Sequence, residues 1–219
     1  MHPKLTRLIE ILETEDRAEA LRYVLDILDK KEMTFIEVYE QLLTPSLNQM
    51  IPSGNEDIDI WNEHIRTSII KTIVENTFSY VMAAREQRGK TIDKQVAILT
   101  PPSEFHSVGA RMVKDVFTYL GYDAIYVGGN TPLRVLEAGM ASRPIDYVVI
   151  SVSNPYHLIS TRNMIEAIRA KNPSVTVIVG GNAIHKLGDK ANTLQADLIL
   201  TQFEDLERIE TGDTHETGL

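Results

Sequence analysis

The chain has 219 residues, 43% hydrophobic and 24% charged, which are ordinary values for a globular protein with a full apolar core. Its net charge of −9 and its lack of clustered Lys and Arg exclude a surface that binds nucleic acid non-specifically. The absence of cysteine excludes disulfides and thiolate metal sites, and no apolar run approaches the ~20 residues that span a bilayer. We therefore expect a cytoplasmic protein with no membrane segment and no direct contact with nucleic acid.

The first part of the chain, residues 1–88, has only helical apolar spacing and predicts a four-helix bundle that serves as a cap domain. Asp16 and Thr34 stand where caps of the second and third helices are expected. Pro45 is expected to kink or divide the third helix, because proline has no N–H to continue the helical hydrogen bonds.

The fourth helix follows a polar loop with the sequence PSGNEDID. We expect it to run from about Ile60 to Arg88, with Trp61 interpreted as a core residue. A polar stretch at 87–95, which contains a glycine, is the predicted linker to the rest of the chain.

Beyond the linker, strand-like and helical patterns alternate. The apolar strands are QVAILT, DAIYVGG, DYVVISVS, VTVIVGG and ADLILT. Near-continuous apolar strands separated by helices predict a parallel sheet covered on both faces, and five of them favour a doubly wound, flavodoxin-like order. We therefore assign residues 95–206 to a flavodoxin-like α/β domain and expect the polar tail, 207–219, to be disordered.

The segment EFHSVG follows the first strand of this domain. Ligands of doubly wound sheets bind at the carboxyl ends of the strands, so His106 is a candidate ligand residue. Glu104 is close enough to accept the proton of one imidazole nitrogen, which would leave the other nitrogen for a metal. Gly109 removes a side chain from the start of the next helix, where a bulky ligand would press.

Two later strand ends carry small residues. Ser151 and Ser153 follow the third strand, and Gly180-Gly181 follows the fourth. Such residues let a flat group or an extended chain approach the backbone. A Gly-Gly pair by itself is an ordinary turn signal, so its meaning depends on the other residues at this edge.

Taken together, these motifs resemble the cobalamin-binding domain family, whose signature E/D-x-H-x-x-G is matched by EFHSVG. The family's Ser-x-Leu element is similar to SVS at 151–153, and its Gly-Gly to Gly180-Gly181. TPP before the motif and TPL after the second strand look most like the adenosylcobalamin-dependent photoreceptor regulators of the CarH/LitR type. LLTPSL and the Glu63-His64 pair resemble the helical cap of those regulators, so the resemblance covers roughly residues 5–205.

The resemblance implies that the chain binds cobalamin base-off, with His106 as the lower cobalt ligand in place of dimethylbenzimidazole. Adenosylcobalamin is the expected form, with methylcobalamin as the alternative. It also implies that Glu104 orients His106 and that Ser151 hydrogen-bonds the displaced nucleotide tail. The implied cofactor-binding residues are Glu104, Phe105, His106, Ser107, Val108, Gly109, Ser151, Ser153, Gly180, Gly181, Glu63 and His64. Only His106 is assigned to the metal, and no residue is assigned a catalytic role.

The chain departs from the photoreceptor pattern in its cap. Ser53 and Gly54 stand where those proteins carry a tryptophan over the upper corrin face and the histidine that binds cobalt after photolysis. Glu63 and His64 are retained as upper-face residues. We expect no counterpart of the regulators' DNA-binding helix-turn-helix within these 219 residues.

Three functions therefore stay open. The first is a light-responsive cobalamin sensor that regulates through a protein partner or a homo-oligomer. The second is the corrinoid carrier of a methyltransferase system, although such carriers typically have Asp where this motif has Glu104. The third is an interaction module that keeps the fold and has lost or replaced the cofactor.

Overall fold

The computed structural model describes residues 2–211. The chain divides into two compact units, with the boundary between Ala84 and Arg85. Within the described residues, no helix is long and apolar enough to cross a membrane. Residues 212–219, which belong to the predicted tail, lie outside this description.

The first unit is built from helices. Its helices are α1 (Pro3–Glu13), α2 (Arg17–Asp29), α3 (Phe35–Val38), α4 (Thr44–Asn48) and α5 (Glu56–Arg88), whose last turn belongs to the second unit. Asp16 caps α2 by accepting the N–H of Glu19 at 2.8 Å. Thr34 and Glu37 form a reciprocal capping box at the start of α3. Both predicted caps are confirmed.

The predicted third helix is divided close to Pro45. A π-helical turn at Tyr39–Leu43 separates α3 from α4. Because proline has no N–H for the carbonyl four residues earlier, α-helical bonding cannot pass through Pro45, and the wider turn takes its place. The side chain of Arg66 on α5 donates to the carbonyls of Ser46 and Gln49 at 3.1 and 3.3 Å, which satisfies acceptors left at the end of α4.

Helix α5 begins at Glu56, which makes the predicted loop over PSGNEDID shorter than expected. The side chain of Asn55 accepts the N–H groups of Asp57 and Ile58 at 3.0 and 3.3 Å and thereby caps the helix. An asparagine followed by acidic residues in the first turn is a helix-start signal, and it overrides the polar, loop-like composition of this stretch.

The second unit is a five-stranded parallel sheet with the order β2-β1-β3-β4-β5. Its strands are β1 (Gln95–Leu99), β2 (Asp123–Gly128), β3 (Tyr147–Ser151), β4 (Thr176–Gly180) and β5 (Leu198–Leu200). Its helices are α6 (Val108–Leu120), α7 (Leu133–Ser142), α8 (Leu158–Lys171), α9 (Asn182–Leu187) and α10 (Glu204–Thr211). The predicted fold class, a helical unit followed by a flavodoxin-like sheet, is confirmed. Its strand order reverses between β1 and β3, the switch point where such sheets bind ligands.

The central strands β1, β3 and β4 are almost completely buried, as their near-continuous apolar sequences predict. Val148 and Ile150 of β3 belong to the same buried cluster as Met164 and Ile165 of α8. The edge strand β2 is more exposed along its length. Helix α10 ends at Thr211, within the stretch that the sequence assigned to the tail.

Asp146 holds the amino end of the sheet together. Its carboxylate accepts the N–H of Gln95 at 2.8 Å and the ammonium of Lys94 at 2.7 Å, while its own N–H donates to the carbonyl of Gln95 at 3.0 Å. Partial burial works to raise the pKa of this carboxyl, but the hydrogen bonds from Lys94 and Gln95 outweigh it and lower the pKa. Asp146 therefore joins the start of β1 to the start of β3.

We expect the Asp146→Ala substitution to reduce the free energy of unfolding by about 1–2 kcal/mol, because it leaves the N–H of Gln95 without its acceptor. Since the pKa of Asp146 is lowered by folding, its stabilisation is complete above the ordinary Asp range and is lost as pH falls through the lowered pKa. Urea unfolding at neutral and acid pH should show the difference between wild type and variant shrinking at acid pH. The matched control is Asp93→Ala, at an exposed position just before β1; equal losses from the two substitutions would contradict this role.

Candidate functional site

The candidate site lies at the carboxyl ends of β1 and β3, on either side of the switch point. The buried Thr100 directly follows β1, and its hydroxyl donates to the carbonyl of Glu104 at 2.5 Å. The N–H of Asn130, in the loop after β2, is shared between that carbonyl at 2.8 Å and the Thr100 hydroxyl at 2.9 Å. Ser103, at a φ of 69°, donates its N–H to the Asn130 side chain at 2.8 Å. These bonds hold the chain in a tight turn just before Glu104.

The carboxylate of Glu104 is fully buried and accepts four hydrogen bonds. Oε1 accepts the N–H of His106 at 3.0 Å and lies 2.6 Å from Nδ1 of the His106 ring. Oε2 accepts the N–H groups of Ser153 and Asn154, beyond β3, at 3.0 and 2.8 Å. One side chain thus joins the two loops that flank the switch point.

These bonds keep Glu104 ionised. Burial, the largest single influence, works to raise its pKa, but the hydrogen bonds from the His106 ring and from the N–H groups of Asn154 and His106 lower it to about 2. An ionised carboxylate at 2.6 Å requires the proton of the neutral imidazole to sit on Nδ1. The lone pair of His106 is therefore on Nε2, the nitrogen that a metal would use.

The other residues of the motif differ in exposure. The His106 side chain is half exposed, and Phe105 beside it is 73% exposed. Ser107 is partly buried, and Val108 is buried as the first residue of α6. The segment therefore presents His106 and Phe105 outward while Glu104 and Val108 anchor it.

Gly109 and Ser151 face each other across the gap between α6 and β3. A Cβ atom built on Gly109 would lie 3.7 Å from Oγ of Ser151, so the missing side chain leaves space in front of that hydroxyl. Ser151 is buried, and within the described part of the chain its hydroxyl has no hydrogen-bond partner. Ser153 contributes its main-chain N–H to Glu104. The gap thus places the hydroxyl of a buried serine opposite a glycine.

The Gly180-Gly181 pair has a structural role of its own. Gly181 has a φ of 104°, and a Cβ there would lie 2.6 Å from the carbonyl oxygen of Val152, a distance that no side chain tolerates. A Cβ on Gly180 would come within 3.1 Å of the Cβ of Leu200. Gly181 therefore lets the chain after β4 approach the end of β3, where Val152 donates its N–H to the Gly180 carbonyl at 2.8 Å, and Gly180 leaves room for Leu200 of β5.

Glu63 and His64 lie in the first unit, on α5. Glu63 accepts a hydrogen bond from the hydroxyl of Thr67 at 2.8 Å, and its carboxylate lies 3.7 Å from Nε2 of His64. The His64 side chain is 75% exposed. Trp61 is 69% exposed, so the interpretation of Trp61 as a core residue is wrong.

The sequence predicts the contact between Glu104 and His106, but it does not reveal three other residues that complete the site. Thr100, Asn130 and Asn154 are its other contributors. Asn130 has a weak sequence signal, because asparagine adopts a positive φ more readily than most residues, and its φ here is 50°. Asn154 acts through its main-chain N–H, which leaves no trace in the sequence.

Replacing Glu104 with Gln should cost about 2–4 kcal/mol of unfolding free energy in the cofactor-free protein. Three of its four donors are main-chain N–H groups, so the amide NH₂ of Gln must face a donor whichever way it is turned. Glu104→Asp keeps the charge on a shorter stem and should lose less. Urea unfolding measures both, with Glu137→Gln as control, because Glu137 forms a surface ion pair with Lys171 at 2.7 Å; the idea fails if the Glu104→Gln variant is no less stable than that control.

This chain matches one sequence family and shares its fold with solved structures. The family model described as the B12 binding domain matches residues 94–209. The monomethylamine corrinoid protein of Methanosarcina barkeri has a TM-score of 0.76 at 12% identity, over 94% of this chain and 96% of that chain. A cobalamin-binding protein from Desulfitobacterium hafniense DCB-2 has a TM-score of 0.51 at 15% identity, over 95% and 97% of the two chains. No curated protein matches this chain in sequence.

At these identities the two structures are evidence of a shared fold, whereas the family match rests on sequence and spans more than half of the chain. Cobalamin binding is the function that this match supports. The chain therefore belongs to the B12-binding domain family.

Proposed function

We propose that this protein binds cobalamin base-off, with His106 as the lower cobalt ligand, and acts as the corrinoid carrier of a methyltransferase system. When bound, cobalamin supplies a cobalt centre that can accept a methyl group and pass it on. The chain's own residues would hold and orient this group, and none of them is assigned a catalytic role. The partners would be the proteins that donate and receive the methyl group.

The hydrogen bond between Glu104 and the His106 ring is the observation that carries the proposal. It puts the imidazole lone pair on Nε2 of a half-exposed side chain at the ligand edge of the sheet. Within residues 2–211, no cluster of three or more His, Asp or Glu side chains could hold a bare metal ion. A corrin already provides four nitrogen ligands to cobalt, so a single protein nitrogen suffices for the lower position.

The gap beside His106 fits the displaced nucleotide tail. The hydroxyl of Ser151, a buried residue, faces this gap and can form a hydrogen bond, and Gly109 leaves space in front of it. We propose that the tail runs past Ser151 and Ser153 toward Gly180-Gly181. Main-chain atoms would line that last part of the path, because neither glycine carries a side chain.

Two observations favour a carrier. The fold likeness to the monomethylamine corrinoid protein extends over 94% of this chain, so the helical unit as well as the sheet has its counterpart there. Ser53, at the position of the photoreceptor tryptophan, instead stabilises the start of α5, with its N–H donating to Asp59 at 2.7 Å and its hydroxyl to the carbonyl of Asn55 at 3.2 Å. A serine engaged in this way has no ring to place over an adenosyl group.

A light-responsive sensor is the second candidate. Glu104 in the motif and the TPP and TPL contexts resemble the photoreceptor regulators, and the pair Glu63-His64 on α5, with His64 exposed, resembles their cap. In that case the bound form would be adenosylcobalamin, and its photolysis would change an interface with a partner or a second copy.

His106→Ala should abolish histidine ligation of the cobalt and weaken cobalamin binding, because Nε2 of His106 is the proposed ligand atom. Electron paramagnetic resonance of the Co(II) form, in protein labelled with ¹⁵N-histidine, should show a doublet splitting that the variant lacks. The matched control is His185→Ala, at an exposed position on α9. Retention of the histidine splitting in the His106→Ala variant would exclude His106 as the ligand, and a wild-type protein that takes up no cobalamin would favour an interaction module without the cofactor.

Green light separates the two leading functions. For a carrier, illumination of the adenosylcobalamin-loaded protein should leave its molar mass unchanged, as measured by light scattering during size-exclusion chromatography. The cofactor-free protein under the same light is the control. A change of mass that requires both light and adenosylcobalamin would contradict the carrier and favour the sensor.

A further inference from the structure

Helix α2 of the first unit carries a row of residues on its outward face with the spacing of a helix–helix contact. Its inner face is already packed within the unit through the buried residues Ala20, Val24, Ile27 and Leu28. The outer seam is Ala18, Arg22, Leu25 and Asp29. Leu25 is partly buried, and the other three residues of the outer seam are exposed. Their alternation of four-residue and three-residue steps is typical of a helix that packs against another helix.

The outer seam borders a groove between α1 and α2. The groove has a volume of about 730 Å³, and Ile11, Tyr23 and Leu25 contribute apolar surface to it. Arg22 and Asp29 of the outer seam also line it. A groove between two helices is the kind of surface that receives a third helix, because the side chains of one helix fill the spaces between the other two.

Two opposite charges on the outer seam have no ion-pair partner within the described part of the chain. They are Arg22 and Asp29. The ion pairs that surround them join Arg7 with Glu10, Arg7 with Glu19 and Lys30 with Asp26, at 3.2, 2.8 and 2.6 Å. Asp29 accepts the hydroxyl of Tyr80 at 2.6 Å, a neutral donor. Arg22 and Asp29 lie about 10 Å apart along the axis of the helix, which separates them within one chain.

A second copy of α2, running antiparallel to the first, brings these two charges together. The midpoint between Arg22 and Asp29 falls between Leu25 and Asp26, about one helical turn from each charge. A two-fold axis through that midpoint places Arg22 of each copy opposite Asp29 of the other, and it places Leu25 beside its own counterpart. The outer seam is therefore complementary to itself, as a two-fold symmetric interface requires.

We propose that the chain forms a two-fold symmetric dimer through α2, held by two reciprocal ion pairs between Arg22 and Asp29 around a central contact of Leu25. In this dimer, α2 of each copy lies in the groove between α1 and α2 of the other. The inference goes beyond the proposed function, because its residues belong to the helical unit and none of them is a proposed cofactor ligand. The dimer is therefore expected both with and without cobalamin.

The test reverses each charge separately and then mixes the two variants. Arg22→Asp and Asp29→Arg should each weaken the dimer on the order of a hundredfold, because each replaces two attractive contacts with two repulsive ones. An equimolar mixture should restore the dimer, since one chain then carries carboxylates at both positions and the other carries cations at both. Sedimentation equilibrium of the cofactor-free protein at micromolar concentration measures the dissociation constants, and circular dichroism verifies the helical content.

Two control variants isolate the ion pairs. Lys71→Asp, at an exposed position on α5, changes the net charge as Arg22→Asp does and should leave the dimer intact. Tyr80→Phe removes the hydrogen bond to Asp29 without removing its charge and should also leave the dimer intact. The wild-type chain and both controls should therefore show a molar mass about twice the 24.7 kDa of one chain.

A wild-type chain that stays monomeric overturns the proposal. So does an equal loss of dimer from Lys71→Asp, since the effect would then come from overall charge. Folded single variants that dimerise like the wild type, or a mixture of folded variants that stays monomeric, would place the interface elsewhere and overturn it as well. Each of these results leaves the proposed binding of cobalamin standing, because that is measured separately through the cobalt spectrum.

Discussion

The buried charge of Glu104 is the constraint on which the rest of the site depends. A carboxylate without solvent contact is tolerated only when its oxygens are fully hydrogen-bonded, and here they accept four bonds. Three donors are main-chain N–H groups, which cannot turn away as a side chain can. The loops after β1 and β3 are therefore held together at the switch point, and the His106 ring is left with a defined tautomer.

The framework around that carboxylate is independent of any ligand. At the amino end of the sheet, Asp146 joins β1 to β3 through both its side chain and its N–H. At the carboxyl end, Gly181 lets the main chain after β4 pack directly on Val152, just before the two N–H groups that bind Glu104. The positions of His106 and Ser151 thus follow from strand pairing.

Much of the fold and the centre of the site could be predicted because they depend on residues close together in the sequence. Asp16 and Thr34 act within one helical turn, Pro45 interrupts its own helix, and Glu104 reaches a histidine two positions away. Trp61 shows the opposite case. Whether a tryptophan at the start of a helix is buried depends on what packs against it, and local spacing could not reveal its exposure.

By itself, then, the sequence determined the order of the helices and strands, the α/β class, the caps and the pairing of Glu104 with His106, since these follow from periodicity and short-range hydrogen bonding. Only the tertiary structure decided that Ser153 and Asn154 complete the carboxylate's shell and that Gly181 is required by its contact with Val152. The physical reason is that nearly every residue carries the same main-chain N–H and carbonyl. Which of these groups reach a given carboxylate or glycine is set by the pairing of distant strands.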